Sequence, residues 1–270
     1  MGDPVFSRII PHLTQMLPIW RWVSTSTSRR RFAEIDLVRG VAIVMMVIYH
    51  LLFDLAFLGL AGIPVLTGFW RVFALVTATL FIMLAGISLP ISYARRRERE
   101  VGFDLVVDYA KRGGKIIGFG VCASVATWIF LGEGFIVFGI LHLIGTAIIL
   151  APFYLPLGRL NIPLGIGFVL AAIPLQGVYG PWWLIPFGIH PASFYSVDYV
   201  PIIPWMGAAL IGVGIGSLLY RDGHRQFSLS LPENAPTNAL CIMGRHSLAI
   251  YLVHQPLIVA LLLAVAAIVR

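Results

Sequence analysis

The chain has 270 residues, 59% of them hydrophobic and only 11% charged, with a mean hydropathy of +0.91. This composition excludes a soluble globular domain, and the apolar residues come in blocks of about 20, the length that crosses a bilayer core. The net charge of +7 and pI near 9.8 do not indicate nucleic-acid binding, because the basic residues gather between apolar blocks, as membrane orientation requires. Cys122 and Cys241 both fall in or at the ends of apolar runs, so neither a disulfide framework nor a thiolate metal site is expected.

The first segment, MGDPVFSRIIPHLTQMLPIWRWV, mixes Pro11, Pro18, Arg8 and Arg21 into its apolar residues. It is no signal peptide and reads as an interfacial arm over residues 1–30, with Trp20 and Trp22 at headgroup level. Residues 31–270 then read as one membrane domain. The expected fold class is all-α, a polytopic bundle of about seven transmembrane helices. The spans run from Leu37 to Leu58, Phe69 to Tyr93, Gly114 to Leu131, Phe135 to Tyr154, Leu160 to Val178, Val200 to Tyr220, and Leu240 to Ile268. Between the fifth and sixth, GVYGPWWLIPFGIHPASFYSVDY is rich in aromatics, Gly and Pro and reads as an ordered interfacial loop.

With seven spans, Arg29 to Arg31, Arg95 to Arg99, Lys111, Arg112, Lys115, Arg159, Arg221 and Arg225 all fall on one side. Arg71 and Arg270 fall on the other. The positive-inside rule then places the N-terminus in the cytoplasm and the C-terminus outside, in a multi-pass protein of the cell's inner membrane.

The first span, EIDLVRGVAIVMMVIYHLLFDL, carries three ionisable groups within hydrocarbon. Eleven residues separate Arg39 from His50, about 20° beyond three full turns, so both share a face about 16 Å apart along the axis. Asp54 lies on that face one turn further on, and Asp36 can pair with Arg39 three residues away. Arg39 alone fits a side chain snorkelling to headgroups equally well, and a buried His can serve only to bridge helices. His50 with Asp54 favours a site, since intramembrane ionisable groups usually mark one.

Other spans add His142, in FGILHLIG, and His254, in SLAIYLVHQPLI, so three histidines could converge near the outer half. Arg71, Glu133 and Asp198 stand on the same side. Three His can bind zinc, but no HxxxH or HExxH spacing exists, and no Ser stands in a GxSxG turn. No metal is expected. GRHSLAIYLVHQPLI opens the last span, where Arg245, His246 and Ser247 suit an anion at a helix N-terminus or, equally, a basic membrane cap. Trp182, Trp183 and Tyr195 can hold a sugar, although an interfacial belt is the commoner use of such residues.

RFAEIDLVRGVAIVMMVIYHLLFDL, FIMLAGISLPI, FGILHLIGTAI, DYVPIIPWMGAALIGVGIG and GRHSLAIYLVHQPL together resemble the bacterial heparan-α-glucosaminide N-acetyltransferase-like membrane proteins, over nearly all the chain from Arg31. The first span also resembles the related acyltransferase-3 family, whose hallmark pairs an Arg with a His, ten residues lying between them, here Arg39 and His50. The resemblance implies a membrane acyltransferase that takes an acyl group, usually acetyl, from cytoplasmic acyl-CoA to a hydroxyl or amine outside. The animal enzymes of the group place their catalytic His in the loop after the first span, and GLAGIPVLTGF contains none. The implied class is therefore acyl transfer rather than heparan acetylation.

On this reading the catalytic candidates are His50, Asp54, His142 and His254. Arg39, Arg245, His246 and Ser247 hold the acyl-CoA co-substrate. Arg71, Glu133, Asp198, Trp182 and Trp183 face a sugar or lipid-linked acceptor. The expected partners are the bilayer, acyl-CoA and that acceptor, with self-association left open and no nucleic acid. The rival class is a proton-coupled transporter or flippase using the His–Asp stripe, and an inactive helical scaffold is the third. Against transport stands the absence of repeat symmetry.

Overall fold

The structure, a computed structural model, describes residues 31–99 and 102–269. The interfacial arm expected over residues 1–30 lies outside the described residues. The described residues form eight α-helices in chain order: α1 Ala33–Phe57, α2 Gly68–Arg96, α3 Phe103–Leu131, α4 Ile140–Tyr154, α5 Asn161–Leu170, α6 Ile202–Leu219, α7 Ala235–Arg245 and α8 Ser247–Val269. Among the described residues, extended pairing is confined to two isolated bridges, Phe138 with Tyr199 and Tyr179 with His190.

Among the described residues six helices are long and apolar enough to cross a membrane, against seven expected spans. The difference lies at Ile140–Leu170, where two expected spans form one helical length of 31 residues. There α4 passes through a 3-10 turn, Leu155–Leu160, directly into α5, and the chain bends at Gly158, whose φ of 53° suits glycine. Asn161, fully buried, holds the bend by donating to the carbonyls of Tyr154 at 2.9 Å and Gly158 at 2.8 Å. The last expected span is likewise two helices, α7 and α8, broken at His246. The third begins at Phe103 rather than Gly114, because Asp104, Asp108 and Arg112 continue its helical register into polar sequence.

In hydrocarbon no hydrophobic force drives helices together, so close backbone contact and buried polar bonds must do so. The helices accordingly meet at glycines. Gly113 of α3 faces Gly145 of α4, Gly165 of α5 faces Gly207 of α6, and Gly86 of α2 faces Ala209 of α6. The residue pairings make α4 antiparallel to α3 and α5 antiparallel to α6, while α6 runs parallel to α2. Short α7 lies antiparallel across the first turns of α1, with Gly244 against the Asp36 carbonyl and Gly40 against that of Leu240.

The segment between α5 and α6 is tied down as the sequence suggested. Tyr199 donates its hydroxyl to the Ile185 carbonyl at 2.7 Å, and Ser196 donates to that of Phe135 at 2.8 Å. The Val200 amide donates to the Phe138 carbonyl at 2.8 Å. Rings of His190, Phe194 and Tyr199 pack together, with centroids 4.9–5.7 Å apart.

Neither Gly40 nor Gly244 has room for a Cβ, so Gly244→Val should push α7 off α1. The expected outcome, read by thermal unfolding in detergent, is a destabilisation of about 1–3 kcal/mol. An equal substitution at Gly114, which has open space around it, should leave the midpoint unchanged.

Candidate functional site

The polar stripe of α1 finds its partners on α2, α7 and α8. Near its start, Arg39 donates from Nη2 to Ser88 Oγ of α2 at 2.8 Å and from Nη1 to Asp36 Oδ1 at 3.3 Å. Asp36 is buried, and its other oxygen lies 3.4 Å from Arg245 Nε at the end of α7. One carboxylate thus links the two arginines that the sequence singled out. His246, which caps α7, is exposed, whereas Ser247 turns inward.

A cavity of about 400 Å³ begins at this end and runs between α1, α2, α3, α4, α6 and α8. Its polar wall is Arg39, Ser88, Arg112, Ser247 and Tyr251, and the rest is aliphatic or aromatic, including Phe81, Ile116 and Leu143. Tyr251 lines it on one side, and its ring lies 5.7 Å from that of His254, one turn further along α8.

His254, buried, meets His50 directly: its Nε2 is 3.2 Å from His50 Nδ1. The hydrogen bonds assign the protons. His254 Nδ1 lies 2.7 Å from the Tyr251 carbonyl, and His50 Nδ1 lies 3.0 Å from the Met46 carbonyl. A carbonyl only accepts, so each Nδ1 carries the hydrogen. His50 Nδ1–H is then shared between Met46 O and the lone pair of His254 Nε2. The lone pair of His50 Nε2 is left available, which is the state a general base needs.

One turn beyond, Gln255 Nε2 donates to both oxygens of buried Asp54, at 2.8 and 2.9 Å. As a catalytic candidate beside His50, Asp54 would serve by orienting that imidazole. The structure gives that task to the Met46 carbonyl and to His254, while the carboxylate is clamped by the neighbour of His254 instead. Asp54 remains one turn from His50 along α1.

The expected convergence of three histidines reduces to two. His142 sits in the first turn of α4, where Nδ1 accepts from the Gly139 amide at 3.3 Å, and its ring packs on Gly120 of α3. The cavity is lined by the other side of α4, through Ile140, Leu143, Ile144, Ala147 and Ile148. Among the described residues no cluster of three or more His, Cys, Asp or Glu could hold a metal ion.

The residues expected to face an acceptor are dispersed. Arg71, Glu133, Trp182 and Trp183 are exposed. Asp198 is drawn inward and accepts from the Ile140 amide at 3.2 Å, at the first turn of α4. Burial raises its pKa to about 6, opposed in part by that amide.

Sequence reasoning missed Ser88, Tyr251 and Gln255, and took Arg112 only as a charge fixing orientation. A signal for the serines existed, since Ser88 and Ser92 stand four apart in the otherwise apolar stretch GISLPIS. Gln255 lies beside His254, but which neighbour of His254 faces α1 depends on how α8 is rotated.

The family model described as heparan-alpha-glucosaminide N-acetyltransferase, catalytic, matches residues 31–256. The match covers α1 to α7 and the part of α8 that carries His254 and Gln255. No curated protein and no solved structure matches the chain.

Two outcomes are expected. Gln255→Leu should cost about 1–3 kcal/mol in thermal unfolding, since it strips a buried carboxylate of both bonds. For Asp198, the raised pKa means that the folded protein holds the proton more tightly than the unfolded chain. Its contribution to stability should therefore be full below about pH 4 and fall away as pH rises through about 6. Asp198→Asn should flatten that part of the stability profile.

Proposed function

The chain belongs to the heparan-alpha-glucosaminide N-acetyltransferase catalytic family, which makes it an acetyltransferase-type membrane enzyme, and we propose that it carries an acyl group from cytoplasmic acyl-CoA to a hydroxyl or amine of an extracytoplasmic sugar or lipid-linked acceptor. The observation that carries this reading is the His50–His254 contact: the Met46 carbonyl holds the hydrogen on His50 Nδ1 and leaves Nε2 unprotonated, and His254 packs against Tyr251, which lines the cavity that begins at Arg39.

Orientation follows from the ends of the bundle. Glu34 lies 3.4 Å from Arg225, and Arg97 lies 2.9 Å from Asp222, so the start of α1 and the ends of α2 and α6 share one face with Arg112 and Arg245. A face that collects this many arginines is the cytoplasmic one by the positive-inside rule. In that frame α4 descends, Leu155–Leu160 turns at the cytoplasmic side, and α5 rises as a short seventh leg. The membrane is the cell's inner membrane.

Acyl-CoA enters at the basic face. Arg39 binds phosphate through its planar fork of donors, with Arg245 and Ser247 beside it. The pantetheine arm lies along the aliphatic cavity and brings the thioester past Tyr251 to the histidine pair. His50 Nε2 takes the proton of the acceptor hydroxyl or amine as that atom attacks the thioester carbonyl. The imidazolium formed shares its charge with His254 and is favoured by Asp54. When the carbon–sulfur bond breaks, the proton passes from His50 to the thiolate, leaving free coenzyme A and an acylated acceptor.

Purified protein in detergent should hydrolyse or transfer the acyl group of radiolabelled acetyl-CoA. His50→Ala should lower that rate by at least roughly 100-fold, the usual contribution of a positioned base. His254→Ala should lower it less, since the Met46 carbonyl still orients the ring. A His50→Ala variant as active as the native protein would remove His50 from the chemistry.

A further inference from the structure

Arg112 poses an electrostatic problem that the helices themselves leave unsolved. It stands on α3 and lines the cavity, and among the described residues it forms no ion pair. Its neighbour Asp108 is taken by Arg96. Its contacts are a bond from Nη1 to Ser92 Oγ at 3.1 Å and the face of Tyr109, 5.1 Å from the guanidinium carbon. Tyr109 is fully buried. Neither a hydroxyl nor a ring neutralises a full charge, and an uncompensated charge beside an apolar cavity is costly. The cheapest solution is a ligand that brings the negative charge.

Arg39 lines the same cavity and is fixed in the same manner, by Ser88. Ser88 and Ser92 are four residues apart on α2, one turn or about 6 Å along its axis. The two serines therefore hold two guanidiniums of the cavity lining, one from α1 and one from α3, at positions one turn apart along α2. A single phosphate is served by one planar fork, whereas two forks at this spacing suit two linked phosphates.

We propose that Arg112 and Arg39, positioned by Ser92 and Ser88, form a two-guanidinium clamp for a diphosphate, which makes Arg112 a donor-binding residue for the diphosphate of the acyl-CoA. The proposal rests on the acyl-transfer reading for the identity of the ligand, but not for the presence of the anion site. It also gives the serines of α2 a purpose: they pre-form the clamp, so little side-chain entropy is lost on binding.

The test is calorimetric titration of the purified, detergent-solubilised full chain with coenzyme A and, separately, with inorganic pyrophosphate. Arg112→Ala should weaken coenzyme A binding by roughly tenfold, and Arg112→Lys should restore part of the loss, because an ammonium keeps the charge but not the fork. In turnover with acetyl-CoA, Arg112→Ala should raise KM with kcat unchanged. Removing the ribose 3′-phosphate from coenzyme A should leave the effect of Arg112→Ala intact, since the clamp reads the diphosphate. Size-exclusion profiles of Arg112→Ala and Arg112→Gln identify any loss through misfolding, and a folded Arg112→Gln variant carries the same expectation.

Pyrophosphate binding that depends on Arg112, without coenzyme A binding, would uphold the clamp and overturn the donor reading. Native-like binding of both ligands by Arg112→Ala would overturn the clamp. So would an Arg112→Ala variant that loses only bound phosphatidylglycerol, compared in phosphatidylglycerol and phosphatidylcholine nanodiscs, since the arginine would then hold a lipid headgroup.

Discussion

A charged or polar group within hydrocarbon must find its partner inside the protein, and on α1 this requirement recurs along nearly the whole helix. Asp36 and Arg39 call for α2 and α7, His50 calls for α8, and Asp54 calls for α8 again one turn later. The placement of neighbouring helices follows. Arg39 reaches Ser88 across an antiparallel contact, and α7 comes so close that its Gly244 rests on the backbone of α1. α8 runs parallel to α1 because His254 and Gln255 must meet His50 and Asp54 in that order. The remaining helices, joined by glycine contacts, close around the cavity this leaves.

Conversion of packing into chemistry depends on which polar atoms the packing has left over. Intrahelical carbonyls fix the hydrogen on Nδ1 of both histidines, and the contact between the rings uses one of the remaining lone pairs. Asp54, bound by Gln255, keeps a carboxylate near His50 without drawing its proton. At the opposite end, Asp36 stands between Arg39 and Arg245 and offsets part of their charge, so the arginines can be held in the protein before a ligand comes. Between the ends the cavity wall is largely aliphatic, a setting of low dielectric in which electrostatic interactions are stronger than in water.

Several of these features could be read from the residues alone. Helical periodicity aligned Arg39, His50 and Asp54 on one face, because that depends only on rise and turn within one helix. The loop from Gly177 to Tyr199 was legible as ordered, since its aromatics and prolines fit an interface. What failed depended on relations between helices. His142 turned toward α3 because small Gly120 leaves room for its ring there, and no spacing within α4 encodes that choice. The break between Tyr154 and Leu160 lies where the sequence put it, but a 3-10 turn with a buried Asn161 replaces a polar loop there, so α4 and α5 run on as one helical length and the count of seven is not reproduced. Arg112 looked like one more loop charge until its helix proved to extend eleven residues before Gly114.

The central claim is that the α1 stripe leads from a phosphate-binding end to a histidine pair that handles the acyl group. A cryo-electron microscopy structure of the purified protein with coenzyme A bound tests it most directly. The expected density places the phosphates at Arg39 and the pantetheine arm in the cavity, with the sulfur beside Tyr251 and pointing toward His50 Nε2. Coenzyme A bound on another face of the bundle, with the cavity closed or filled by lipid, would contradict it.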